Sequence, residues 1–252
     1  MNQSVQKAIT LLRQAAAHPT GASVSALARD AGVPRATALR LIETMESEGL
    51  LVRTPQRDRV LLGPELVRLA RQVDIGTIVQ QLAASHLGAL AATLQETVTL
   101  SVIAQDGDLD VVQQIPGPQH LIPRSWLGRR FPLHASSSGK LLLAASDQTR
   151  LSRLLPRRLP PVTPHTITSR RALNRELDLT RAQGYATTVD ELEEGLAGIS
   201  VGIYGADHAF LGAVNVSGLS QRFDQPARDH AVEQTRAAVR EIETGLRTAP
   251  PR

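Results

Sequence analysis

Ser137-Ser138-Gly139-Lys140 sets a serine hydroxyl three residues before a lysine. In serine acyl-enzymes that S-x-x-K spacing lets the amine take the hydroxyl proton and activate the nucleophile. Those enzymes also carry a K-T-G element, whereas the only other lysine in this chain is Lys7. The same Gly139-Lys140 does not make a P-loop either, because the leading glycine would have to be residue 134, which is His134. A Ser/His/Asp triad can be written with His134, but no G-x-S-x-G elbow supports it. The seven histidines show no ligand-like spacing for zinc, and there is no cysteine to act as thiol nucleophile or disulfide partner. Neither an enzymatic role nor a cofactor or metal is expected. Lys140 is expected to bond its helix environment or solvent.

A different chemistry is spelled by the arginines of residues 35–59. Arg35, Ala36, Thr37 and Arg40 would share the outer side of one short helix, with long donors beside short residues. Close approach plus guanidinium forks suits base edges and phosphates in a DNA major groove. Arg53, Arg57 and Arg59 follow on what reads as a strand pair, placed to meet backbone phosphates beside that groove.

The elements that would hold these residues are legible. Val24, Leu27, Ala28 and Ala31 recur at helical spacing, with Ser23 before them as a cap. Gly32 supplies a turn, and Pro34 suits the first position of a second helix, whose inward stripe is Ala38, Leu41, Ile42 and Met45. Gly49 ends it; Leu50-Leu51-Val52 and Val60-Leu61-Leu62 then make a wing. Helix, turn, helix and wing in this order predict a winged helix-turn-helix over residues 1–63, with double-stranded DNA as partner. Val5, Ala8, Ile9, Leu12 and Ala15 predict a first helix packed beneath it.

Composition agrees. The 252 residues allow one small and one medium domain. A hydrophobic fraction of 42% and a net charge of only +4 describe an ordinary globular surface, so any binding of nucleic acid must come from a local basic patch. No apolar leader opens the chain and no uninterrupted apolar run approaches the roughly 18 residues of a membrane span. A cytoplasmic protein that does not enter membranes is expected.

Beyond Gly63-Pro64 a helical linker is expected over 64–80, with Leu66, Leu69 and Val73 apolar and a second apolar stretch at 78–94. The period then becomes two. Val98, Leu100 and Val102 alternate with Thr and Ser as in a half-buried strand, and Asp106-Gly107-Asp108 turns it into 109–114. Further strands are expected at 185–189, 197–204 and 209–217, with helices at 139–145, 147–155, 170–183 and 226–246. Hairpins with helices set between them predict an α+β domain over 81–248, an antiparallel sheet faced by helices. Asn215 and Ser217, two apart on a strand, share one face with Ala213.

Four segments together resemble the IclR family of bacterial transcription regulators. They are Pro34-Arg35-Ala36-Thr37-Ala38-Leu39-Arg40-Leu41; Gly128-Arg129-Arg130-Phe131-Pro132-Leu133-His134-Ala135-Ser136 running to Gly139-Lys140; Arg181-Ala182-Gln183-Gly184-Tyr185-Ala186; and Glu191-Leu192-Glu193-Glu194-Gly195. The resemblance covers nearly the whole chain. It implies a homodimer or dimer of dimers that binds a near-palindromic operator, with a GAF-like C-terminal domain sensing a small-molecule effector. Carried over by position, it puts Ser137 and Ser138 at the effector through backbone amides, Thr188 opposite them, and Asn215 and Ser217 on the last strand. Leu121, Ile122, Phe131 and Leu196 would be apolar walls. Amides before the helix near Gly139 would cradle an anion, so a small organic acid or aromatic carboxylate is the expected effector. Trp126 and His120, on one loop, could meet an aromatic ring, or Trp126 could cap apolar surface.

The chain also departs from the family pattern. Gly198 stands where a cysteine is common, Thr188 where an acid is common, and Ser137 and Ser138 where some members carry glycine and alanine. A constitutive architectural DNA-binding protein, whose C-terminal domain only oligomerises, is the competing expectation.

Overall fold

The computed structural model describes residues 2–54, 59–117 and 125–247 and divides the chain into two compact units, Met1–Asp74 and Ile75–Arg252. Arg57, His120, Leu121 and Ile122 lie outside the described residues.

The first unit runs α1 (Gln3–Ala17), α2 (Val24–Asp30), α3 (Arg35–Ser47), β1 (Leu51–Thr54), β2 (Arg59–Leu62) and α4 (Pro64–Ala70). Ser23 caps α2, its Oγ accepting from Ala26 N at 3.2 Å. Gly32 and Gly49 take the left-handed φ values of +62° and +70° that the turns after α2 and α3 need. Pro34 is the N-cap of α3 rather than its first helical residue, so Arg35 opens the helix. Antiparallel β1 and β2 pair Leu51 with Leu62, and Leu50 stays outside the wing strand. Leu27, Ala38, Ile42, Leu51 and Val60 form the buried core with Leu11 of α1. The stripe expected on α1 is displaced. Leu11 and Ala15 are buried whereas Val5 and Ile9 are exposed, because Ala8, Leu11, Leu12 and Ala15 form an equally good helical stripe.

The second unit contains α5 (Ile75–Leu94), β3 (Thr97–Ile103), β4 (Leu109–Ile115), a 3-10 turn (Leu133–Ala135) leading into α6 (Ser137–Ala144), α7 (Gln148–Leu154), α8 (Arg170–Gln183), β5 (Tyr185–Val189), β6 (Leu196–Tyr204), β7 (Phe210–Leu219) and α9 (Gln225–Arg247). The expected linker boundary at 80/81 falls inside α5. The five strands lie in the order β4-β3-β7-β6-β5, every neighbouring pair antiparallel.

Strand alternation gives this sheet two chemically different sides. Val98 and Leu100 of β3, Ile199 and Ile203 of β6, and Val214 and Val216 of β7 join Leu87 of α5 and Ile242 of α9 in an aliphatic core. Each such fully buried side chain contributes about 1.5–3 kcal/mol. The other side is covered by α6 and α8, through Leu141, Leu142, Leu173 and Leu177 packing with Ala186 and Ala213. Where that cover stops, the sheet presents hydroxyls. β3 is therefore not half solvated as expected: Thr97 and Ser101, on its polar side, are 5% and 1% exposed.

Candidate functional site

On α3 the three apolar residues Ala38, Ile42 and Met45 turn inward, which leaves Arg35, Ala36 and Arg40 exposed and Thr37 half-buried. Arg35 Nε donates to Ser25 Oγ at 3.0 Å, tying the start of α3 to α2. The Arg40 guanidinium has no partner among the described residues, so all its donors are available. Arg53 lies differently from the expectation of a purely phosphate-facing side chain. Its Nε and Nη2 donate to Glu46 Oε1 and Oε2 at 3.0 and 3.2 Å, a two-point clamp between the wing and α3. Arg59 Nη1 donates to Thr20 O at 3.3 Å.

In the second unit the strand register lines up two polar rows. One runs Thr188, Gly198, Ser217, Thr97; the next runs Ala186, Ser200, Asn215, Thr99, Gln114. The N-terminal end of α6 lies above them. Ser136 caps this helix through its Oγ, which accepts from Gly139 N at 3.1 Å. Gly139 is required there: an added Cβ would lie 2.3 Å from Leu133 O. The amides of Ser137 and Ser138, the first two of the helix, have no acceptor among the described residues, as helix geometry demands of its opening turn.

Ser200, fully buried on β6, fastens the helix to the sheet. Its Oγ is 2.8 Å from Ser137 Oγ and 3.0 Å from Ser138 Oγ, and it accepts from Asn215 Nδ2 at 3.1 Å. Asn215 Nδ2 also reaches Ser137 Oγ at 2.9 Å, while Thr99 Oγ1 donates to Asn215 Oδ1 at 3.3 Å.

Between helix end and sheet is a cleft of about 620 Å³, partly open to solvent. Ser137, Ser138, Thr188, Asn215 and Ser217 line it, together with Phe131 and Leu196. The structure thus brings together every effector residue expected from the sequence that falls within the described residues. It adds Thr97, Thr99, Ser101 and Gln114 on the floor, and Val111, Trp126 and Leu192 on the apolar side. Trp126 meets Phe131 edge to face, with centroids 6.1 Å apart and planes at 83°, and its backbone N donates to Gln114 Oε1 at 3.3 Å. No Arg, Lys, His, Asp or Glu is among the lining residues.

Lys140 is not where the sequence suggested. It is 0% exposed, and its Nζ donates to Glu191 Oε1 at 2.7 Å and to Glu176 Oε1 and Thr187 O at 3.1 Å each. All three ammonium protons are therefore committed. The S-x-x-K pairing of lysine with serine does not form. Burial pushes the Glu191 carboxyl above its ordinary range, against the opposing pull of Lys140. Among the described residues, no group of three or more His, Cys, Asp or Glu could hold a metal ion.

A winged helix-turn-helix with an exposed arginine face, in one chain with a sheet-floored cleft, defines a DNA-binding regulator that also carries a small-molecule site. Residues 4–55 match the IclR helix-turn-helix domain and residues 72–244 the bacterial transcriptional regulator IclR C-terminal domain. The chain belongs to the IclR family of transcriptional regulators. It is 39% identical over 222 residues to the HTH-type transcriptional regulator Rv1719 of Mycobacterium tuberculosis, covering 88% of this chain and 84% of that one. It is 30% identical to the regulator XynR of Escherichia coli, with 94% of each chain covered. Among solved structures, an IclR transcriptional regulator of Silicibacter sp. TM1040 superposes with a TM-score of 0.72 at 25% identity, over 99% of this chain and 98% of that one. An IclR homologue of Microbacterium hydrocarbonoxydans, solved in complex with 4-hydroxybenzoate, does so with a TM-score of 0.62 at 27% identity, over 97% and 99%.

Proposed function

We propose that occupancy of the cleft by a small organic acid or aromatic carboxylate controls the affinity of the winged helix-turn-helix for its operator. The observation that carries this reading is the pairing of two free amides at the start of α6 with an enclosed floor of hydroxyls. Free N–H groups and the helix dipole favour a carboxylate there without any cationic side chain. The 4-hydroxybenzoate complex of the Microbacterium homologue supports an acid of this size.

On the DNA side, Arg35, Ala36, Thr37 and Arg40 enter the groove while Arg53, Arg57 and Arg59 border the phosphates. Val67, Leu69 and Val73 are exposed apolar residues of the kind a second copy covers, which supports a homodimer or dimer of dimers. Among the described residues no helix is long and apolar enough to cross a membrane, and the proposed place of work is the cytoplasm. The commitment of Lys140 to its acids supports a role without catalysis.

The test is thermal unfolding of the full chain against a panel of small aliphatic and aromatic carboxylates, followed by operator binding with any hit present. Stabilisation that grows with ligand concentration, together with a changed operator affinity, is expected. Operator binding that ignores every stabilising acid would favour the constitutive architectural reading.

A further inference from the structure

Three hydroxyls in the cleft remain unused by the protein. Ser101, Thr188 and Ser217 are 1%, 7% and 9% exposed, yet their side-chain oxygens have no hydrogen-bond partner among the described residues, and all three line the cleft. Thr97, Thr99, Ser137 and Ser138, by contrast, are each engaged by a neighbouring protein group.

Thr188 and Ser217 occupy one register row with Gly198 between them. Neighbouring strands stand about 4.8 Å apart, so the two residues face each other across roughly 10 Å of backbone. Two O–H···O bonds of about 2.8 Å each then leave roughly 4 Å, the width of a single ring or carbon chain. Gly198 keeps that gap open: a Cβ there would sit 3.4 Å from Thr188 Oγ1 and 3.5 Å from Ser137 Oγ.

From this we infer that the cleft selects a hydroxylated monocarboxylate, its carboxylate on the Ser137 and Ser138 amides and its hydroxyls read by Thr188 and Ser217. The inference rests on the effector reading above and narrows the chemistry of its ligand. A deoxy acid of the same shape would strip water from Thr188 and Ser217 and return no hydrogen bond. That mismatch costs about tenfold in affinity for each hydroxyl left unpaired. Val111, Trp126, Phe131 and Leu192 give the opposite wall an apolar face, so a hydroxylated aromatic acid and an open-chain polyhydroxy acid both carry the required chemistry.

Matched pairs test it on the full chain by calorimetry: 3,4-dihydroxybenzoate against benzoate, and gluconate against hexanoate. In at least one pair the hydroxylated acid is expected to bind ten times or more tighter, and which pair does so identifies the source. Thr188→Val and Ser217→Ala should bring that ratio toward one while leaving the ligand-free melting temperature unchanged, since neither hydroxyl bonds the protein. A deoxy acid binding as tightly as its hydroxylated partner overturns the hydroxyl rule and leaves the regulatory reading standing. A hydroxyl preference that survives both substitutions also overturns the rule. If no acid of either kind binds, the effector reading itself falls.

Discussion

Lys140 Nζ lies 2.7 Å from Glu191 Oε1, a buried ion pair joining α6 to the loop after β5. Glu176 of α8 shares the same ammonium at 3.1 Å, and Glu191 Oε2 has no partner among the described residues. Two acids thus depend on one cation. Removing the cation strands both charges, a loss of about 3–5 kcal/mol when a buried pair is broken.

Lys140→Met should therefore unfold at a markedly lower temperature than the parent, and the gap should widen from pH 5 to pH 8. Without Lys140 the Glu191 carboxyl loses the influence that holds it down, and its pKa rises further above the ordinary 4.5. The folded variant then holds a proton that the unfolded chain releases above that value. Stability consequently drops as pH rises through the window between the unfolded and folded values. Melting curves across that range check the sign; a gap that narrows toward pH 8 would refute it.

Ser200→Ala removes the hydroxyl shared by Ser137, Ser138 and Asn215. Loss of these bonds should cost about 2 kcal/mol, lowering the melting midpoint by roughly 5 °C. Acid binding should weaken as well, because the first turn of α6 is no longer held over the sheet. Unaltered acid affinity would show that α6 is positioned by its leucines alone.

Gly198→Ala should fold, since φ at this position is not left-handed and the nearest atom to the new methyl, Asn215 Nδ2, is 3.2 Å away. The methyl would nevertheless fill the floor between Thr188 and Ser217. A fall of about tenfold or more in acid affinity with little change in melting temperature is expected. Full-strength binding would place the ligand elsewhere in the cleft.

The DNA face offers a contrasting pair. Arg40→Ala should weaken operator binding by about 1–3 kcal/mol and reduce discrimination against a scrambled duplex. Glu46→Gln should do the reverse to non-specific DNA. It removes an acid and relaxes its clamp on Arg53, so affinity for random duplex should rise and the salt dependence steepen by about one counterion. Fluorescence anisotropy at several salt concentrations separates the two; an unchanged specificity ratio for Arg40→Ala would count against its role at base edges.

The winged helix-turn-helix was legible because its signals are local: a stripe, a cap, a glycine, a proline and a short strand pair within 40-odd residues. Even there α1 was ambiguous, since two stripes of equal quality differ by one residue in phase. The cleft was legible only in part. Thr97, Thr99 and Ser101 read as the wet side of a strand, because alternation looks the same whether that side meets water or a cavity. Ser200 carried no signal of its own; its partners lie 62 and 63 residues away and are brought there by the crossing of α6 over β6. The acids that bind Lys140 are 36 and 51 residues distant, so the motif around it suggested chemistry its packing does not permit.

Strand β6 alternates Gly198 and Ser200 toward the cleft with Ile199 and Val201 toward α5 and α9. Its backbone is a rocker. Whatever draws one edge toward a bound guest presses the opposite edge against a close-packed aliphatic layer that has no slack to absorb the movement. The displacement must pass into the helices resting on that layer, and α5 starts at Ile75, the residue directly after the DNA-reading unit ends. A guest need not approach the operator to be felt there; it needs only to tilt one strand.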